Sequence, residues 1–273
     1  MFWAIDEIHL LLAVLVAFAV TIELAFRWGR MHSASTDDAT RAHVNALEIA
    51  VLGLLALLLG FNFAMSVARF DARKTLFEEE VNAINTTYLR VQLLPAQPRQ
   101  EASALLRAYV AARVDFMRAS IDQDLIDKAI ASAADVEQRL WSIAGDLVAH
   151  GSAPIPNGLF IQSVNELINV NHKRHAALDN HVPETVLWLL LTVAMTSLGF
   201  MSYNYGLAGR SRHGAMVIFA ALIGAVLIVI IDLDRPRTGL IQVSEDGMVR
   251  LMEAMERCYG MWVQRIRFSD HRL

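Results

Sequence analysis

The chain has 273 residues, 55% of them hydrophobic, a net charge of −4 and a single cysteine, Cys258. That is more apolar than an ordinary soluble domain, and the apolar residues are clumped as membrane spans require. The weakly acidic balance implies no general affinity for nucleic acid, and a lone cysteine excludes both an intrachain disulfide and a multi-cysteine metal site.

The amino end, "MFWAIDEIHL", carries Asp6 and Glu7 and no lysine or arginine. It lacks the order of a cleavable signal, so a retained transmembrane helix is expected at about 8–26. Glu23 lies near its far end, four residues before Arg27, the favourable order for a helical ion pair; a proton-relay or ion-site role is the alternative. A basic loop, "RWGRMHSASTDDATRAH", leads to a second span at about 47–67, with Glu48 near its loop-side end. Each span is long enough to cross roughly 30 Å of hydrocarbon as a helix.

The second span has two patterned faces. Gly53, Ala56, Gly60, Ala64 and Ala68 make a small-residue face that permits close approach of another helix. Asn62, Ser66, Arg69 and Arg73 recur at four, three and four, a polar stripe that begins inside the membrane and ends in two cations. Polar groups at that depth are costly against lipid, so two readings stand. In one the helix lines a pore, Arg69 and Arg73 gather anions at its mouth, and Leu55, Leu58 and Met65 form an apolar constriction beside the stripe. In the other Asn62 and Ser66 bond neighbouring helices and the arginines snorkel to headgroups.

A stretch without spans follows and reads as helices. Phe77, Val81, Ile84, Tyr88 and Val91 continue the second span as an amphipathic helix. "LLPAQPRQE" breaks it. Leu105, Leu106, Tyr109, Val110, Phe116 and Met117 mark the next helix, and Leu125, Ala129, Val136, Leu140, Ile143 and Leu147 a third. "HGSAPIPNG" reads as a loop. Phe160, Val164, Leu167 and Ile168 open a fourth helix, which leads to "HVPETV", where Pro183 fits the first turn of a third span at about 185–203. A fourth span is expected at about 214–231. It stops in "DLDRPRTG": Asp232 and Asp234 forbid further lipid, Pro236 ends the helix, and Gly239 lets the chain turn. Asp232 and Asp234 could also hold a cation or ring the mouth of an oligomer. The tail offers an amphipathic helix, with Met248, Leu251, Met252, Met255 and Tyr259 on one face, that packs on the soluble helices or lies on the membrane surface.

The expected fold is therefore all-α: four transmembrane helices with a helical extramembrane domain inserted between helices 2 and 3. The divisions fall at 1–67, 68–183, 184–232 and 233–273. Parity puts both termini and the helical domain on one side. The arginines of the two short loops and the cations at the opposite membrane ends do not decide which side that is. His172 and His175 stand three apart on a helix but have no acidic partner at matching spacing, so no metal site is expected. No phosphate-binding loop, dinucleotide fingerprint, zinc-protease motif or nucleophile elbow is present, which leaves neither an enzyme nor a cofactor to propose.

"LLGFNFAMSVARFDARKTLFEEEVNAINTTYLRVQLLPAQPR" is similar to the central signature of a bacterial family of four-span proteins termed bestrophin-like. "LLRAYVAARVDF", "NHVPETV" and "IDLDRPRTGLIQVS" resemble its later blocks, so the likeness runs over roughly residues 50 to 250. Bestrophins proper are pentameric anion channels whose second membrane helix lines the pore. The resemblance implies an oligomeric channel in the bacterial inner membrane, passing small inorganic ions passively, with the helical domain and termini in the cytoplasm. Asn62 and its stripe would lie in the lining, with Phe61 and Phe63 nearby. The rival reading is a membrane-anchored sensor or interaction module whose soluble helices bind a ligand or partner.

Overall fold

A computed structural model of the chain describes residues 7–118, 123–150, 153–209, 213–235, 241, 243–244 and 246–269. Among them the only regular elements are helices: α1 (Glu7–His32), α2 (Asp38–Val91), α3 (Ala96–Arg118), α4 (Gln123–His150), α5 (Pro154–Asp179), α6 (Glu184–Leu207), α7 (His213–Asp234) and α8 (Asp246–Ser269). Among the described residues four regions are long and apolar enough to cross a membrane: Leu11–His32, part of Asp38–Val91, the apolar part of Pro154–Leu207 that falls in α6, and Met216–Asp234. The protein is all-α with four candidate spans.

The described residues form two compact units, one within Met1–Phe70 and His181–Ile241, the other within Asp71–Asn180 and Gln242–Leu273. The first holds the spans. Phe18, Ile22, Leu55, Leu190, Leu198, Met216, Ile223 and Leu227 form its core, so one face of each span meets its neighbours and the others are left to lipid or to further chains. α1 and α6 approach most closely. A Cβ on Gly206 would stand 2.8 Å from Arg30 N and 3.0 Å from the Cα of Gly29, and one on Gly29 would run into the carbonyl of Tyr203. Ser202 Oγ donates to Ile22 O at 2.5 Å across the same crossing. The small-residue face expected to pack tightly, on the second span, meets none of the described residues of other elements: Gly53 and Gly60 have no neighbour near a built Cβ, and Ala56, Ala64 and Ala68 are exposed.

The second unit packs Phe77, Ile84 and Val91 of α2 against Leu106, Tyr109 and Val110 of α3, Val136 and Leu140 of α4, and Phe160, Val164 and Leu167 of α5. Met248, Leu251 and Met255 of α8 enter the same core, with Met252 at its edge. The side chain of Tyr259 lies outside the described residues. Two local expectations shift. The stripe of α4 starts at Ile126, not Leu125, which is 50% exposed. The fourth soluble helix begins at Pro154, inside the expected loop, because prolines at its first and third positions have no N–H to lose there and carry a helical φ. Pro183 is the residue immediately before α6, whose first turn closes through Val186 N donating to Pro183 O at 2.9 Å.

Candidate membrane path and buried polar groups

α2 carries most of the residues singled out above, and its faces explain where they go. Leu55, Leu59, Asn62, Ser66, Arg69 and Arg73 alternate steps of four and three, and the same steps continue through Phe77, Glu80, Ile84, Thr87 and Val91. The polar stripe is thus the upstream end of the seam by which α2 packs in each unit. Asn62 is 6% exposed and Ser66 fully buried. Asn62 Nδ2 donates to Leu58 O at 2.8 Å, while Ser66 Oγ has no hydrogen-bond partner among the described residues. Leu55 is buried and Leu58 half-buried, while Phe61, Phe63 and Met65 are exposed.

The cations and acids at the ends of the spans are likewise engaged. Arg69 Nη1 lies 3.5 Å from Asp234 Oδ1, and Asp234 is fully buried. The other oxygen, Asp234 Oδ2, accepts the backbone N–H of Val182 at 2.7 Å, and His181 Nδ1 lies 3.0 Å from the Asp234 carbonyl oxygen. Asp232 Oδ2 accepts Ile241 N–H at 3.0 Å, and Arg235 N–H donates to Asp232 O, a tightened turn at the end of α7. These acids act as an elbow that ties the end of the last span to the start of α6 and to the chain leaving the membrane. Pro236, Arg237 and Gly239 lie outside the described residues, as do Arg210 and Arg212. In the second unit Arg73 Nε donates to Ala177 O at 3.1 Å and Arg73 Nη2 to Asn180 O at 3.0 Å, so its guanidinium caps the last carbonyls of α5.

Glu23 pairs with Arg27 at 2.6 Å on an exposed helical face. Glu48 accepts a hydrogen bond from Asn204 Nδ2 and lines, with Arg41, Asn45 and Tyr205, a polar concavity of about 390 Å3. A groove of about 510 Å3 in the second unit is lined by Glu79, Asn82, Arg90, Gln162, Glu166 and Lys173. No group of three metal-ligating side chains gathers among the described residues; His175 instead packs edge-on against Phe116.

The sequence reading missed a polar network at the centre of the second unit. Glu80 of α2 is fully buried and bridges two cations: Arg113 Nε of α3 at 2.8 Å and Arg174 Nη1 of α5. Each guanidinium also lies over an aromatic face, Arg113 over Phe116 at 4.9 Å and Arg174 over Phe77 at 5.2 Å. Tyr109 and Glu137 complete the network with Asn171, whose Nδ2 donates to Glu137 Oε1 at 2.7 Å. Burial raises the pKa of Glu137 and raises that of Tyr109 well above the usual phenol value. The signal was available: Glu80, Arg113, Asn171 and Arg174 occupy core positions in the four-and-three stepping of their helices, where a charge or amide must be paired.

The model of the family described as "Bestrophin-like domain" matches residues 11–248. Among solved structures, a single-substitution variant of a bacterial bestrophin homologue from Klebsiella pneumoniae is similar at a TM-score of 0.66 and 16% identity, covering 93% of this chain and 97% of that one. A second variant of a Klebsiella pneumoniae bestrophin homologue gives 0.64 at 16% identity over 90% and 96%. A further structure of a bacterial bestrophin homologue from Klebsiella pneumoniae gives 0.61 at 17% over 92% and 96%. At such identities the likeness speaks for a shared fold. No curated protein matches the chain. A family match running from the first span to the start of α8, on a four-span all-α chain, has one reading: this protein belongs to the bestrophin-like family.

Proposed function

We propose that the protein is an oligomeric ion channel that conducts passively through a path lined by α2. The observation that carries the proposal is the bestrophin-like match across all four spans. The open face of α2 supports it: among the described residues Gly53 and Gly60 have no neighbour, Ala56, Ala64 and Ala68 are exposed, and such a face suits close packing of copies around an axis. Of the candidate lining residues, the exposed Phe61, Phe63 and Met65 are the ones free to meet a path between copies. Asn62, Ser66 and Leu55 would hold the helix in register from behind. Because Arg69 and Arg73 are engaged with Asp234 and with α5, a preference for anions rests on the resemblance to bestrophins rather than on mouth cations. By the same resemblance the assembly is a pentamer in the bacterial inner membrane, with the helical unit and both termini cytoplasmic.

Assembly size tests the proposal. Purified protein should run as one discrete species of several subunits by native mass spectrometry. A monomer or simple dimer would contradict it and favour a membrane-anchored sensor, for which the polar groove beside Arg90 and Lys173 would be the ligand site.

A further inference from the structure

Tyr109 Oη lies 3.3 Å from Glu80 Oε1 and 3.2 Å from Glu137 Oε1. A phenol has one proton to donate, so it can satisfy only one of these contacts. The other would set a phenolic lone pair against a carboxylate oxygen in a region where water does not screen it. Glu80 forms ion pairs with both Arg113 and Arg174. Glu137 has no such support: among the described residues no cation pairs with it, and both its hydrogen-bond partners, Tyr109 and Asn171, are neutral.

We propose that Glu137 is a buried proton-binding site. A proton taken from solvent converts its carboxylate to a carboxylic acid, whose O–H donates to Tyr109 Oη. Tyr109 O–H then donates to Glu80, and every contact in the chain from α4 through α3 to α2 has its proton. Release returns the same proton to solvent and leaves Glu137 with one negative charge.

The surrounding groups are consistent with this. Facing the site are Glu80 on α2, Tyr109 and Arg113 on α3, and Asn171, His172, Arg174 and His175 on α5; on α4 itself Asp135 and Arg139 pair with one another at the surface, 3.9 Å apart. Burial is the largest influence on Glu137 and outweighs the opposing pull of Asn171, Tyr109, His172 and Arg113. Burial also keeps Tyr109 neutral. His175 does not compete for the proton, because burial and then Arg113 and Arg174 lower its pKa. Glu80 sits on the same continuous helix as the second span, so proton binding tightens the grip of α3, α4 and α5 on the extramembrane part of α2. The proposal does not depend on conduction.

Thermal unfolding of the full-length detergent-solubilised protein against pH tests it, comparing wild type with Glu137→Gln. Glutamine offers a permanent N–H to Tyr109 and cannot release it. Raising a carboxyl pKa on folding means the folded state binds more protons than the unfolded one, so stability falls as pH rises through that window. The Tm of wild type should match that of the variant at acid pH, below the ordinary glutamate value, and fall a few degrees below it as pH rises through the raised carboxyl pKa. A difference that does not change with pH, or a wild type that gains on the variant at alkaline pH, overturns the proposal. Infrared difference spectra of wild type give a second readout that needs no variant to fold. A protonated-carboxyl C=O stretch should persist above the pH at which exposed carboxylates ionise, and its absence there overturns the proposal as well.

Discussion

Gly29 and Gly206 meet at the crossing of α1 and α6, where the Cα of Gly29 lies 3.0 Å from the place a Cβ on Gly206 would occupy. Only residues without a side chain let the two backbones come this near, and the Ser202–Ile22 hydrogen bond depends on that closeness. Gly29→Ala or Gly206→Ala should therefore destabilise the subunit by about 1–3 kcal/mol, the usual cost of overpacking. Gly60→Ala, whose added methyl meets no described residue of its own chain, should leave the α1–α6 crossing and the fold of the subunit intact and act only on packing between copies. Thermal unfolding in detergent, run in parallel on all three, checks the contrast.

Asp234 holds the elbow between the last span and α6. Asp234→Ala removes the partner of a partly buried arginine and of the Val182 N–H, and should cost about 3 kcal/mol or more. Arg69→Glu would set two carboxylates together and should be at least as damaging. Yield of folded protein and unfolding temperature measure both. An Arg69→Glu protein as stable as wild type would show that the Arg69–Asp234 contact carries no weight.

Histidine and carboxylate in the second unit should respond to pH with opposite signs. The lowered pKa of His175 means the unfolded state takes up its proton more readily. Its contribution to stability is present above the ordinary histidine value of about 6.5 and is lost as pH falls below that, towards the lowered folded value. His175→Gln should accordingly lessen the loss of Tm on acidification, whereas Glu137→Gln should lessen the loss of Tm as pH rises above the ordinary glutamate value. Unfolding temperatures of the variants and wild type, taken pH by pH, separate the two.

Accessibility along α2 distinguishes the faces. In a Cys258→Ser background, cysteines at Leu55, Asn62 and Ser66 should resist a charged thiol reagent in the folded protein, since these positions are buried. Among Phe61→Cys, Phe63→Cys and Met65→Cys, at least one should react from water and lose ion flux on modification. Labelling at Asn62 and Ser66 with none at the three exposed positions would return the lining to the polar stripe.

Much of the architecture was legible because membrane spans and core helices write themselves in apolar runs and in steps of three and four. The continuation of the second span into the soluble helix was readable from Phe77 to Val91 alone. What the sequence hid was direction. Asn62, Ser66, Arg69 and Arg73 look like a water-facing stripe when read by polarity. Read by register they share the seam of Phe77, Ile84 and Val91, and within the single chain Asn62, Ser66 and Arg73 are buried. Small residues were ambiguous in the same way: Gly29 and Gly206 stand far apart in sequence and their meeting is tertiary, while the more regular glycine and alanine face of the second span finds no partner among the described residues. The Glu80 network escaped because each charge is unremarkable singly, and only the packing of four helices brings Arg113, Arg174, Tyr109 and Glu137 together.

Ion flux from proteoliposomes tests the central claim most directly. Vesicles loaded with potassium chloride and carrying the purified protein should dissipate the gradient without any energy source, and separate chloride and potassium readouts identify the ion that moves. A homogeneous, folded oligomer that releases neither ion faster than protein-free vesicles would contradict the account.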